Sequence, residues 1–109
     1  MNQIELTHSS QLVKIKEDSF HNPQFVFKHS TRCYISKMVL NHFELHHKKL
    51  NRYFYLLDLL NYKNLSKLIE NDFNIKHESP QLLVIERSKC ILHFSHSSIN
   101  TINLYDTII

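Results

Sequence analysis

Cys33 lies in Thr31-Arg32-Cys33-Tyr34-Ile35-Ser36, shortly after the apolar run Gln24–Lys28 and at the start of a helical pattern. A thiol at a helix start meets backbone N–H groups that have no intrahelical acceptor, together with the positive end of the helix dipole. Both favour the thiolate. Arg32 beside it adds positive charge. The thiolate is the nucleophile of disulfide exchange, so Cys33 is the expected catalytic residue of a thiol redox reaction. Ser36 stands where a C-x-x-C motif would carry its second cysteine. Without a resolving thiol there, a mixed disulfide on Cys33 is released only when an external thiol attacks it. The expected behaviour is monothiol exchange.

Pro80 falls directly before the apolar run Gln81–Ile85. It either starts a strand in the ordinary way or takes the cis form beside the cysteine. In the second case the Ser79 backbone faces a bound sulfur partner and pairs with it as a short added strand. Thr31, Arg32, Tyr34, Ser36, Ser79 and Pro80 are the expected partner-binding residues around Cys33. His29 and His77 flank the site and are candidates for tuning the thiol or holding an anionic partner. Cys90, set among apolar residues, is expected to be a buried bystander, too far from Cys33 to bridge it. His42 and His46 are four apart on one helical face, a spacing that can hold a metal, but no carboxylate or cysteine is arranged with them and no metal site is expected.

These residues need elements to position them. Ser9 or Ser10 can cap a first helix through Leu12, Val13 and Ile15 towards Phe20, stopped by Asn22-Pro23. Gln24–Lys28 reads as a buried strand. A helix follows, with Ile35, Met38, Val39, His42, Phe43 and His46 on one side. The aromatic-rich run Tyr53–Leu59 is a second strand, and Asn61–Phe73 a helix through Tyr62, Leu65, Leu68, Ile69 and Phe73. Gln81–Ile85 and Cys90–Phe94 are close enough to form an antiparallel hairpin across Glu86–Lys89. Ser97 or Ser98 could cap a last helix through Ile99, Ile102, Tyr105 and Ile109, although its β-branched content weakens it. The predicted order is α-β-α-β-α-β-β-α: an α/β fold with a four-stranded mixed sheet and helices on both faces. That is the thioredoxin-like arrangement, read as one domain over residues 1–109.

Composition narrows the chemistry further. The 109 residues contain no glycine. A P-loop, a dinucleotide-binding turn, a G-x-S-x-G elbow and a regular calcium EF-hand all need it, so those functions are excluded. Turns that would ordinarily use glycine fall to residues such as Asn22, Asn61, Asn74 and Ser88, asparagine being the best non-glycine resident of left-handed backbone. Thirteen Lys and Arg against ten Asp and Glu give a formal charge of +3 with no basic block, and no nucleic-acid partner is expected. No apolar run is long enough to span a membrane, and the N-terminal residues lack a signal pattern, so a cytoplasmic location is expected. A structural disulfide is not expected in that compartment.

The blocks Phe27–Cys33, Ile35-Ser36, His77–Gln81 and Ser95-His96 resemble the bacillithiol-system redox proteins of the YtxJ family, the monothiol bacilliredoxins. The resemblance runs nearly end to end, from Ile4-Glu5-Leu6-Thr7 through Leu57–Leu60 to the last helix. It implies a thioredoxin-like fold and removal of bacillithiol, or a similar low-molecular-weight thiol, from S-thiolated client proteins by the cysteine matching Cys33. A second bacillithiol would free the enzyme and a disulfide reductase would recycle the oxidised thiol. The small thiol is then a co-substrate, and no bound cofactor is implied. Two departures stand out. The family often has proline after the cysteine, where this chain has Tyr34, and its glycine-bearing hairpin turn is replaced by Glu86-Arg87-Ser88-Lys89. The other reading is a non-catalytic module that uses the same scaffold to bind a peptide along Ser79-Pro80.

Overall fold

A computed structural model describes residues 1–107. The elements are β1 (Asn2–Glu5), α1 (Ser10–Asp18), β2 (Gln24–His29), α2 (Tyr34–His46), β3 (Tyr53–Asp58), α3 (Lys63–Phe73), β4 (Gln81–Glu86) and β5 (Lys89–Ser95). A 3-10 turn, His96–Thr101, and the short α4 (Leu104–Thr107) follow. The α/β arrangement is the expected one, but the sheet has five strands in the order β1-β3-β2-β4-β5, not four. The additional strand precedes the first helix. Its residues Asn2-Gln3-Ile4-Glu5 are mostly exposed and it holds to β3 through backbone pairing, Asn2↔Tyr53 to Glu5↔Leu56. An edge strand that buries one side of one residue carries almost no apolar signal, which is why pattern alone passes over it.

β1, β3 and β2 are mutually parallel, β4 is antiparallel to them, and β5 is antiparallel to β4 and so runs in their direction. Covered on both faces, the central strands read as continuous apolar runs. Val26, Tyr55, Leu57, Leu83 and Ile85 pack with Leu12, Ile15, Leu65 and Ile69 on the α1/α3 face. Phe25, Phe27, Phe54, Leu82 and Val84 pack with Val39, Phe43, Ile99 and Leu104 on the other. Phe27, Phe43 and Phe54 form a mutual aromatic cluster with centroids 5.3–6.4 Å apart.

Three expectations need correction. The buried stripe of α2 is Ser36, Val39 and Phe43, whereas Ile35 and Met38 are 59% and 55% exposed. The stripe begins at a serine, so an apolar template settles on the neighbouring, wrong side of the helix. The last helix is not continuous: the 3-10 turn ends at Ile102, whose ψ of 140° breaks it, and α4 starts at Leu104. Ile109, placed on that helix, lies outside the described residues. His47 closes this segment against α2. Its Nδ1–H donates to the Phe43 carbonyl at 2.9 Å and its Nε2 accepts the Leu104 N–H at 3.1 Å, which fixes a neutral, buried ring.

The third correction concerns left-handed backbone. It occurs at Asn74, Arg87, Ser88 and His96, with φ of 52–66°, so Asn74 and Ser88 serve as expected while Asn22 and Asn61 do not. Arg87 and Ser88 are the two central residues of the β4–β5 hairpin, both at positive φ as a type I′ turn requires. Buried Ser19 secures the turn: its carbonyl accepts the Arg87 N–H at 3.0 Å and its Oγ the Ser88 N–H at 2.8 Å. Among the described residues no helix is long and apolar enough to cross a membrane.

Candidate active site

Because β1, β3 and β2 are parallel, the helices that follow them all begin at one edge of the sheet, the edge where parallel α/β sheets bind ligands. None of α1, α2 and α3 has a side-chain cap or an acidic residue in its first turn. Their positive dipole ends therefore face this edge with no carboxylate in their own first turns to offset them. Cys33 sits on it as the N-cap residue of α2, in extended conformation (φ −97°, ψ 118°) and partly exposed. A turn brings it there: the Cys33 N–H donates to the Ser30 carbonyl at 3.2 Å, and the Cys33 carbonyl accepts the Lys37 N–H at 3.1 Å as the helix starts. As the N-cap residue it adjoins the first-turn N–H groups, which have no intrahelical acceptor, and its side chain makes no capping hydrogen bond.

Thr31 and Arg32 are exposed in that turn, and Tyr34, the first helical residue, is 74% exposed. With exposed Ile35 and Met38 it forms an apolar collar on the first turns of α2, the helix that Cys33 caps. Thr31 and His29 line a cavity of about 260 Å³ that continues to Thr7, Asp58 and Tyr62.

Ser36 was expected to touch the partner; the structure places it elsewhere. It has no exposed surface, and its Oγ lies 2.7 Å from His29 Nδ1 while accepting the Ser30 N–H at 3.1 Å. Its position is that of a positioning residue beneath the cysteine turn. Burial lowers the pKa of His29 below the ordinary histidine value, with Asp58 acting upwards and Lys37 downwards. His29 Nδ1 and Ser36 Oγ share one hydrogen bond, so each side chain holds the other in place.

The last rung between β2 and β4 is Lys28↔Gln81. β2 therefore parts from β4 beside the point where Ser79-Pro80 enters the sheet, which brings the proline loop towards the cysteine turn. The Ser79–Pro80 bond is cis, Pro80 is buried, and its carbonyl accepts the His96 N–H at 2.9 Å. Ser79 is partly exposed, with its Oγ buried.

Lys28 is the residue that sequence reasoning missed. It is fully buried, with Nζ 3.3 Å from His77 Nδ1 and 3.5 Å from the Ser66 carbonyl. A signal existed: a lysine at the Val26 parity of an otherwise apolar strand must point into the α1/α3 side. His77 is drawn to this cluster on the α3 side, its backbone N–H donating to Glu70 Oε2 and its ring 3.2 Å from Ser66 Oγ. Burial and Lys28 lower its pKa against the pull of Glu70 and Glu78.

Cys90 is free and half-buried, and its thiol is pushed up to about 11, chiefly by burial. A bulge in β5 leaves Ile91 unpaired and turns Cys90 to the α1/α3 face. Cys90 pairs with Ile85, four residues along β4 from Gln81, so it lies ~13 Å down the sheet from the site edge. A disulfide needs Cα atoms within about 7 Å. His42 and His46 stack at 6.0 Å on the exposed side of α2, and among the described residues no three metal-ligating side chains come together.

The family model for monothiol bacilliredoxin BrxC matches residues 4–104. Among solved structures, a protein described as a candidate oxidoreductase with a thioredoxin fold superimposes with a TM-score of 0.81 at 28% identity, over 90% of this chain and 86% of that one. Thioredoxin from Schistosoma mansoni gives 0.71 at 20% identity over 98% and 93% of the two chains. Thioredoxin f from spinach chloroplast gives 0.70 at 15% over 92% and 79%. The last two show the fold alone.

Proposed function

The chain belongs to the monothiol bacilliredoxin family, thiol oxidoreductases of thioredoxin-like fold, and from that premise we propose that it removes bacillithiol, or a similar low-molecular-weight thiol, from S-thiolated proteins through Cys33. The observation that carries this reading is the isolation of Cys33: an N-cap thiol with a buried serine three residues on and the other cysteine at the far end of the sheet.

The Cys33 thiolate attacks the small-thiol sulfur of the client's mixed disulfide. The bond between that sulfur and the client cysteine breaks, the client leaves as a thiolate and takes up a proton, and a Cys33–small-thiol disulfide remains. The helix N-terminus stabilises negative charge on Cys33 before attack and after release. Ser79, at the cis-proline loop, offers backbone to the partner in the manner of an added strand. With no thiol at position 36, a second small thiol attacks the small-thiol sulfur, frees Cys33 and departs as the symmetrical disulfide. Electrons and atoms balance, because each step exchanges one thiolate for another. The reaction suits the cytoplasm, where a reductase can return the disulfide to thiol.

The test uses a client carrying bacillithiol in mixed disulfide, with wild type, Cys33→Ser and Cys90→Ser. Wild type and Cys90→Ser should release the client thiol and Cys33→Ser should not. Full activity in Cys33→Ser would refute the assignment.

A further inference from the structure

β2 and β5 end at the edge that carries Cys33 and β4 begins there, so the register of the three strands fixes which residues meet. Gln81 pairs with Lys28 on one side and with Ser95 on the other. The next position outward is His29 on β2, Pro80 before β4 and His96 after β5. The cysteine turn leaves from the first of these, with the Cys33 N–H closing on the Ser30 carbonyl at 3.2 Å. The His96 N–H donates to the carbonyl of the second at 2.9 Å. Two inter-strand spacings, about 10 Å, separate the chain at His96 from the chain at His29, with the proline loop between them.

His96 is exposed and holds left-handed backbone, φ 54°. The other left-handed residues have structural places: Asn74 closes α3, and Arg87 and Ser88 make the hairpin turn. His96, where β5 passes into the 3-10 turn, is a different case. Left-handed backbone is costly for a residue with a Cβ, and strained residues gather at functional sites. Its surroundings pin it: Ser98 Oγ accepts the Ser95 N–H at 3.0 Å and donates to the Ser95 carbonyl at 2.6 Å. Ile99 packs with Val39 and Phe43 of α2. The His96 imidazole itself makes no hydrogen bond among the described residues. Glu78 of the proline loop lies within its electrostatic reach, and Lys76 and His93 act on the same carboxylate. Arg32, Cys33 and Lys37 are the titratable groups at the start of α2.

We propose that the His96 imidazole is the acid–base group of the exchange, giving a proton to the departing client sulfur and taking one from the second small thiol. As Cys33 attacks the small-thiol sulfur, the bond to the client sulfur breaks with its electron pair on that sulfur. The His96 imidazolium protonates it. The neutral ring then accepts the proton of the second small thiol, whose sulfur attacks the small-thiol sulfur held on Cys33. The electron pair of that bond returns to Cys33 as the thiolate. One proton has passed from the incoming thiol to the client, so the cycle needs no oxidant and no net proton. Histidine is suited to this because it ordinarily titrates near neutrality, below the ~8.5 of a client thiol, which makes the transfer to the thiolate downhill.

The inference rests on the exchange reaction proposed above, and the experiment separates the two. Mixed disulfides of 2-mercaptoethanol are compared, one with a cysteine peptide and one with thionitrobenzoate, an aromatic thiol that leaves as a stable thiolate and needs no proton. Release is followed in single turnover, without a second thiol, across neutral pH. With wild type, peptide release should rise as Cys33 ionises and fall again on the alkaline side as His96 loses its proton. Asparagine also tolerates left-handed backbone. In His96→Asn the alkaline fall should vanish and peptide release at about pH 7 should drop about tenfold or more, while thionitrobenzoate release stays within about twofold of wild type. His96→Gly, which relieves the backbone, should show the same selective loss. Undiminished peptide release in His96→Asn, an equal loss with both leaving groups, an alkaline fall kept in that variant, or recovery in His96→Gly would overturn the acid–base role while leaving the exchange reaction standing. Release of both thiols by Cys33→Ser would overturn the exchange reaction itself.

Discussion

Ser36 Oγ stands 2.7 Å from His29 Nδ1 and fastens the first turn of α2 to the end of β2. The position that a dithiol enzyme gives to its resolving cysteine is here a structural clip. Ser36→Ala leaves the His29 nitrogen and the Ser30 N–H buried without that partner, so it should lower stability by about 1–3 kcal/mol in urea unfolding. Ser36→Cys should convert the chemistry instead. A thiol three residues from Cys33 resolves the mixed disulfide internally, and the small thiol should be released without a second equivalent; continued dependence on added thiol in that variant would count against this.

The two cysteines should differ sharply in reactivity. Burial holds the Cys90 thiol near 11 while Cys33 is partly exposed at a helix start. Brief alkylation of the native protein at about pH 8, just below the ordinary cysteine value, should add one label, located on Cys33 by peptide mass. Equal labelling of both would contradict the site.

Tyr34 occupies the first position of α2, where proline is favoured because its fixed φ suits the helix and its missing N–H has no intrahelical acceptor to lose. Tyr34→Pro should raise stability by about 0.4–1 kcal/mol. It also removes part of the apolar collar of Tyr34, Ile35 and Met38. Met38→Ser should therefore raise KM for a protein client by up to about tenfold, the equivalent of ~1.4 kcal/mol, and leave KM for a small disulfide little changed. A matching loss with both substrates would mean that the collar does not dock clients.

Stability should fall on acidification earlier than carboxylates alone would cause. His29 and His47 are buried, and burial lowers both below the ordinary value near 6.5. Above about 6.5 both rings are neutral in the folded and unfolded chain and their contribution is fully present. As pH drops through the folded-state values, the unfolded chain takes up protons that the native rings resist, and stability is lost. Protonated His47 could no longer accept the Leu104 N–H, so the C-terminal segment should loosen first. Melting temperatures from about pH 8 down to about pH 5 check this; a flat profile below 6.5 would exclude it.

The glycine-free hairpin turn should be improvable. Arg87 and Ser88 both hold positive φ, which costs a non-glycine residue roughly 1–2 kcal/mol. Ser88→Gly should stabilise the protein by about 1 kcal/mol without altering exchange rates. Loss of stability would show that the Ser88 side chain has a role beyond the turn. Ser19→Ala, which removes the hydroxyl that accepts the Ser88 N–H, should cost about 1 kcal/mol.

Much of this molecule is written in local sequence. Gln24–Lys28, Tyr53–Leu59 and Gln81–Ile85 are legible as strands because burial on both faces makes them continuously apolar. Cys33 and Ser36 are legible because the chemistry depends on a residue's place at a helix start, a property of adjacent residues. The order of elements then fixes the parallel crossovers and brings Cys33 and Pro80 to one edge. Tertiary structure decided what pairing and orientation determine. β1 exists because β3 offers it backbone partners, whatever its side chains. The rotation of α2, which buries Ser36 and exposes Ile35 and Met38, follows from His29 and Ser30 waiting beneath the helix for a hydroxyl. Lys28 becomes a buried charge against Ser66 and His77 only when β2, α3 and the His77 loop meet. Such features arise between residues far apart in the chain, and no window of sequence contains both partners.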